Sequence, residues 1–422
     1  MLDLKFIREN LKIVKKAIKD KHEKVNLNRL IALDEERREL VVKVDRLKHT
    51  RNVVSKEIGR LKSKGEDMSQ KVAEMRKLGG EIEELDNKIR GLEKKVYDIL
   101  TMVPNIPHDS VPTGTEKKNI IVSERGSERS FDFEPLPHWE LGSALDILDF
   151  AAGSKISGSN FPIYKGAGAG IERALINFML DAHIKNGYKE IFPPFLVNRD
   201  SMFGTGQLPK LEEDMYICEV DDLFLNPTAE VPLINIHRNE ILKGENLPIK
   251  YVGYTACFRR EAGSYGKETR GLLRVHQFNK VELIKFTTPE TSYEELETLL
   301  SDATRILQQL EIPYRVSLLA SREISFASAK TYDIEVWASG VKKWLEVSSV
   351  SNCTDFQARR AGIRFRRKKG EKAEFVHILN GSGVATPRTL TAILEHYQNR
   401  DGSITIPKVL RPYMNGAAKI KH

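Results

Sequence analysis

Chemistry on a triphosphate has recognisable requirements. It needs guanidinium groups that fork onto phosphate oxygens, a carboxylate for an exocyclic amine, and an aromatic plane for a base. The segment Phe258-Arg259-Arg260-Glu261, a Gly-, Lys- and Arg-bearing stretch, and then Arg274-Val275-His276-Gln277-Phe278 carry all three. The pattern has the form of two strands joined by a polar loop. A second cluster, Leu345-Glu346-Val347-Ser348-Ser349, offers a carboxylate and a hydroxyl of the kind that Mg²⁺ accepts. A third begins Asn380-Gly381-Ser382-Gly383 and ends Pro387-Arg388: a glycine-rich turn entering a helix, with an arginine in its first turn. Each cluster alone also fits a bland use, as a surface ion pair, an edge-strand glutamate or a helix start. Their joint occurrence in one domain argues for the chemistry.

Other nucleotide motifs fail on spacing. Gly166-Ala167-Gly168-Ala169-Gly170 has the wrong intervals for a dinucleotide fingerprint, and no strand is expected to lead into it. Gly263-Ser264-Tyr265-Gly266-Lys267-Glu268-Thr269 echoes a P-loop, but its glycines are too close and Glu268 stands where a hydroxyl should be. Neither G-x-S-x-G nor H-E-x-x-H occurs.

The elements that must position these residues follow from periodicity. From about residue 115 onward, short β-branched and aromatic runs alternate with amphipathic helices. Tyr251-Val252-Gly253-Tyr254, Lys280-Val281-Glu282-Leu283-Ile284 and Trp344-Leu345-Glu346-Val347 read as strands. Helices are expected near residues 171–184, 293–310 and 387–397. Grouped strands favour an α+β antiparallel sheet flanked by helices over a doubly wound one.

The first quarter is different. Leu4, Ile7, Leu11, Val14 and Ile18 share one helical face; then Leu33, Leu40, Leu47, Val54 and Leu61 recur every seven residues. After Gly65 the repeat restarts as Met75, Ile82, Ile89, Val96 and Leu78, Leu85, Leu92, Ile99. This predicts an N-terminal antiparallel coiled-coil hairpin over about residues 27–100, inside a domain spanning 1–112, with a second domain over 113–422. Its distal half is basic: Lys43, Arg46, Lys48, Arg51, Lys56, Arg60, Lys62 and Lys64. A solvated coiled-coil face accounts for such a run, and so does an arm that meets phosphates by counterion release.

Composition sets bounds. The chain has 422 residues, 30% of them charged, and a formal net charge of +8, which suits a polyanionic partner without identifying one. No apolar run approaches the ~20 residues that span a bilayer, and the charged start does not read as a signal peptide. A cytoplasmic setting is expected. The three cysteines, Cys218, Cys257 and Cys353, are too dispersed for a disulfide framework or a four-thiolate zinc site.

Together the three clusters resemble the signature motifs of class II aminoacyl-tRNA synthetases, and their wording is similar to the bacterial type of the seryl-tRNA synthetase family. Motif 1 resembles Asn186-Gly187-Tyr188-Lys189-Glu190-Ile191-Phe192-Pro193-Pro194; motif 2 is the 258–278 hairpin; motif 3 ends in Arg388. His138-Trp139-Glu140-Leu141-Gly142, Thr228-Ala229-Glu230, Ser351-Asn352-Cys353 and Leu410-Arg411-Pro412-Tyr413-Met414 add to the likeness, which covers nearly the whole chain. The resemblance implies that Arg259 holds the α-phosphate and the serine carboxylate. It implies that Glu261 contacts adenine, Phe278 stacks on it, and Arg274 and Arg388 clamp the outer phosphates. Arg260, Val275, Val347 and Ser348 belong to the same ATP-binding segments. Glu346 and Ser349 are implied to bind Mg²⁺; Thr228, Ala229 and Glu230 to seat L-serine; and Glu282, Asn380 and Ser382 to surround its hydroxyl. ATP as substrate, tRNA(Ser), the selenocysteine tRNA where a host makes it, a homodimer formed through motif 1, and no zinc follow from the same likeness. Arg260, Asn226 and Pro387 depart from the usual wording, and none removes a proposed group. On residues alone two other readings remain: an enzyme loading a carrier protein, and a non-catalytic interaction protein. The entire arm speaks against the first, and the joint presence of Arg259, Glu261, Glu346 and Arg388 against the second.

Overall fold

The computed structural model describes residues 1–261 and 270–422. The P-loop-like stretch from Gly263 to Thr269 lies outside the described residues. The chain forms two compact units, one of Leu2–Pro104 and one of Asn105–His422 together with Met1.

In the smaller unit the first amphipathic stretch is two helices, Leu4–Glu9 and Leu11–Asp20, broken at Asn10. Two long helices follow, α1 (Leu27–Lys64) and α2 (Ser69–Leu100). The Asn26 side chain caps α1 by accepting the Arg29 N–H at 2.9 Å, and Gly65 ends it in the left-handed region at φ 70°. Val44, Ile82 and Ile89 are buried between the helices, with Leu40, Leu47 and Leu85 packed against them. The heptad positions meet as their spacing requires. Below them, buried Asp34 is held by Arg8 at 2.5 Å and Arg37 at 2.7 Å.

The larger unit is built on an eight-stranded sheet. Its strands in chain order are β1 (Ile120–Arg125), β2 (Lys189–Ile191), β3 (Ile249–Phe258), β4 (Gln277–Thr287), β5 (Tyr314–Leu318), β6 (Lys330–Ala338), β7 (Lys343–Asn352) and β8 (His377–Ala385). The spatial order is β1-β5-β6-β7-β8-β4-β3-β2, antiparallel throughout except for the β2–β3 pair. Its helices include α3 (His138–Ala144), α4 (Ala167–Lys185), α5 (Glu230–Asn235), α6 (Ser292–Gln309), α7 (Phe356–Ala361) and α8 (Thr386–His396). One apolar core joins the sheet to α4, α6 and α8 through Leu175, Met179, Leu299, Ile306, Leu390 and Ile393. Leu175, Phe178 and Met179 of α4, the helix that runs into the motif 1 segment, are therefore core residues.

Alternation along the strands separates core from site. Val281 and Leu283 of β4, Val350 of β7 and Leu379 of β8 enter that core. Their neighbours Lys280, Glu282, Ser349, Ser351, Asn380 and Ser382 point the other way and line a cleft. Two details differ from the sequence reading. A two-residue strand, Ile163–Tyr164, does lead into the Gly166–Gly170 run. Those glycines serve close packing there, since a Cβ on Gly168 would lie 2.2 Å from the Ile147 carbonyl oxygen. The segment after Pro104 is bonded into the larger unit: the Asn105 side chain donates to the Ala327 and Cys353 carbonyls, and His108 N–H to Ala329 O.

Candidate active site

Two clefts, of about 410 and 300 Å³, adjoin on the sheet face turned away from the core. They share Arg259, Glu261, Lys280, Ser349 and Ser382. Strand register brings these residues together: Glu282 lies opposite Ser382, Asn380 opposite Ser351, and Asp333 opposite Ser349.

The larger cleft is acidic at its floor. Glu282, 2% exposed, receives the Lys280 ammonium at 2.6 Å and the Thr228 hydroxyl at 3.3 Å on one carboxylate oxygen. The Thr228 hydroxyl also accepts the Glu230 N–H at 3.2 Å. Glu230 Oε1 accepts the side-chain amides of Gln357 at 2.6 Å and Asn380 at 3.1 Å. Burial pushes the Glu230 carboxyl up to about 7, and the nearby Glu282 charge adds to this; Gln357, Lys280 and Arg259 oppose it. A small cationic group fits such a floor, with a hydroxyl-sized polar partner beside it.

In the second cleft, Arg274, Val275 and Phe278 face Glu346, Val347, Ser348 and Arg388. Arg274 pairs with Glu261 at 2.5 Å. The Arg259 guanidinium lies 5.2 Å from the Phe278 ring centroid, and its Nε donates to the Pro227 carbonyl at 3.3 Å. Arg388 reaches both walls: its Nε donates to Leu273 O at 3.2 Å, and its terminal nitrogen to Glu346 O at 2.9 Å. Asp333 lies beside Ser349, its partner in strand register, and its Oδ1 is buried with no hydrogen-bond partner among the described residues. Burial, and then the Glu346 charge, raise the Asp333 carboxyl well above its ordinary value, with Ser349 and Arg388 opposing. Two carboxylates, a hydroxyl and an unsatisfied buried oxygen suit a hard cation that keeps part of its shell for phosphate and water.

Most of the expected site residues gather here. Two do not line either cleft: Ala229 is fully buried beneath, and Arg260 is exposed with its N–H on the Asp214 carbonyl. Three residues were not singled out by sequence reasoning, Lys280, Gln357 and Asp333. Lys280 had a readable signal, since an i, i+2 charge pair on an otherwise apolar strand puts both groups on one face. Gln357 had none, because only the packing of α7 against the cleft brings it to Glu230. On the arm, Lys43 bridges to Glu81 at 3.0 Å, Lys48 to Asp86 at 3.2 Å and Lys64 to Glu66 at 4.0 Å. Arg46, Arg51, Lys56, Arg60 and Lys62 form no ion pair among the described residues.

An antiparallel sheet with arginines on its motif 2 and motif 3 segments defines a class II synthetase core. The family model for the tRNA synthetase class II core domain (G, H, P, S and T) matches residues 215–397. The model for the seryl-tRNA synthetase N-terminal domain matches residues 1–107. A serine–tRNA ligase of Carboxydothermus hydrogenoformans is 55% identical over 416 residues, 98% of each chain. One of Pelotomaculum thermopropionicum is 55% identical over the full length of both. The crystal structure of seryl-tRNA synthetase from Pyrococcus horikoshii complexed with ATP superposes with a TM-score of 0.93 at 39% identity, covering 100% of this chain and 99% of that one. The chain belongs to the seryl-tRNA synthetase family.

Proposed function

We propose that the two clefts hold L-serine and ATP side by side, and that the chain joins serine first to AMP and then to tRNA(Ser). The observation that carries this reading is the shared wall: Arg259 lies where the acidic-floored cleft opens into the arginine-lined one. Serine enters with its ammonium on Glu230 and its hydroxyl toward Glu282, Asn380 and Ser382. Its carboxylate is already ionised, so no strong base is needed. One carboxylate oxygen attacks the α-phosphorus in line, and the bond from that phosphorus to the bridging oxygen breaks as pyrophosphate leaves. Arg259 neutralises charge at the α-phosphate, Arg274 and Arg388 hold the outer phosphates, and Phe278 offers its open face to adenine. Glu346 and Ser349, with Asp333 behind them, are the residues for Mg²⁺, which when bound neutralises phosphate charge. The terminal ribose 3′-hydroxyl of tRNA then attacks the seryl carbonyl carbon and AMP departs.

A pocket lined by buried polar groups rejects alanine because those groups stay unpaired, a discrimination of ~10⁴–10⁵ that needs no editing site. In this reading Leu2–Pro104 is the tRNA-binding arm and the catalytic domain begins at Asn105, ahead of the boundary at 112 expected from the sequence. The same reading includes a cytoplasmic homodimer joined through motif 1, and serylation of the selenocysteine tRNA in hosts that have one. Among the described residues no helix is long and apolar enough to cross a membrane. The test is transfer of labelled serine to bulk tRNA with ATP and Mg²⁺, with alanine and threonine in parallel. Labelling by serine alone is expected. Serine-dependent pyrophosphate exchange without RNA labelling would move the acceptor to another carrier. Light scattering at a mass near 48 kDa would refute the dimer.

A further inference from the structure

His138, from the His-Trp-Glu-Leu-Gly phrase, lines neither cleft, yet it is fully buried with both ring nitrogens engaged. The backbone N–H of Leu272 donates to its Nε2 at 2.9 Å. A backbone amide is only a donor, so Nε2 carries no proton and Nδ1–H must donate, at 2.8 Å, to Glu395 Oε1. The His138 N–H reaches the same carboxylate oxygen at 2.9 Å. Glu395 Oε2 accepts the Gly340 and Val341 N–H groups at 2.8 and 3.1 Å. The carboxylate is thus satisfied on both oxygens and cannot swing.

What this assembly grips is the descending limb of motif 2, the stretch that carries Leu272, Leu273, Arg274 and Val275 into the second cleft. Gly271 sits against the Nε2 edge of the imidazole at φ 70°, and a Cβ there would lie 2.2 Å from Nε2. The neighbouring Arg270 places its guanidinium 4.7 Å from the Trp139 ring centroid. Helix α8 therefore holds one limb at two places: Arg388 in its first turn binds the Leu273 carbonyl, and Glu395 in its last turn acts through His138 on the Leu272 amide.

We infer that His138 is a positioning residue for ATP, a neutral imidazole clip that sets the height of the Arg274 limb over the nucleotide without touching it. The inference rests on the second cleft being the ATP site. Losing the acceptor for a buried Leu272 N–H frees the limb, and KM for ATP in pyrophosphate exchange rises roughly tenfold. KM for serine stays put, because Glu230 and Glu282 hang from other elements.

The experiment compares His138→Asn with His138→Gln. Asparagine keeps a donor near Nδ1 for Glu395 and loses the acceptor for Leu272; glutamine reaches the Nε2 position and keeps the acceptor. The expected result is an elevated ATP KM in the asparagine variant, largely restored in the glutamine variant, with serine KM unchanged in both. ATP KM within twofold of the unaltered protein in both variants overturns the clip. Equal losses for ATP and serine that track melting temperature also overturn it, since they mark a purely structural role. Should the asparagine variant not fold, amide exchange in the unaltered protein decides, and a Leu272 N–H exchanging at open-loop rates overturns the inference. Absence of any serine-dependent exchange in the unaltered protein would instead reject the ATP-site reading beneath it.

Discussion

Glu230 makes the sharpest quantitative test, because burial makes its charge costly to the fold while the proposed function needs that charge. Moving a glutamate from its ordinary 4.5 to about 7 disfavours the ionised form by about 3 kcal/mol. Below pH ~4.5 the carboxyl is protonated in the folded and the unfolded chain alike, and nothing is lost. Between there and pH ~7 the unfolded chain releases its proton while the folded chain keeps it, so stability falls as pH rises, and the loss is complete above the folded value. Glu230→Gln retains an oxygen for the Gln357 and Asn380 amides that now meet Oε1. Without serine, the variant should match the parent near pH 4.5 and exceed its stability by about 3 kcal/mol at pH 8. Activity should move the opposite way. A serine ammonium needs the ionised carboxylate, and at pH 6 only about one site in ten is ionised. The value of kcat/KM for serine should therefore climb about tenfold from pH 6 to a plateau near pH 8, while in the variant it is low and flat. Urea melts across pH and pyrophosphate exchange supply the two readings. A flat profile in the parent, together with no gain in stability in the variant, would refute the argument.

Three further outcomes follow from other parts of the molecule. Lys280→Met strips the partner from the buried Glu282 and should cost about 3–5 kcal/mol in urea unfolding; an unmoved midpoint would show that the pair is not what keeps that charge in place. Arg388→Lys keeps the charge but cannot span Leu273 and Glu346 together, so the exchange rate should drop by about 10²-fold, and a drop below threefold contradicts a clamping role. Changing Arg46, Arg51, Lys56, Arg60 and Lys62 to Gln should raise KM for tRNA and make its salt dependence shallower, by about 0.7–0.9 in log–log slope for each phosphate no longer neutralised. Lys43→Gln and Lys48→Gln, whose charges are already spent on Glu81 and Asp86, should do less; equal effects would mean the arm's pairing is irrelevant to RNA.

Much of the arm was legible because a coiled coil is a local code. A seven-residue repeat, an αL glycine and a cap dictate helix, turn and helix with few long-range choices. Asn10 escaped that reading, since a one-residue break leaves the apolar period on both sides intact. In the catalytic unit the residue types of the three clusters, and the family likeness they carry, were present in the chain order itself. The strand alternation that puts Glu282 on one face and Val281 on the other could be read too, since every second side chain must turn away from the core.

The tertiary structure decided what those groups are for one another. Register sets Glu282 opposite Ser382 and Asp333 opposite Ser349, and register is a property of pairs of strands far apart in sequence. Burial, not residue type, moves Glu230 to about 7. Gln357 enters the acidic cleft only because α7 docks there, and His138 meets Leu272 only because Gly271 lets the backbone come so close. Local physics chose the chemical groups and the elements that carry them. Desolvation and long-range pairing, which exist only once the chain has closed on itself, chose their charge states and their partners.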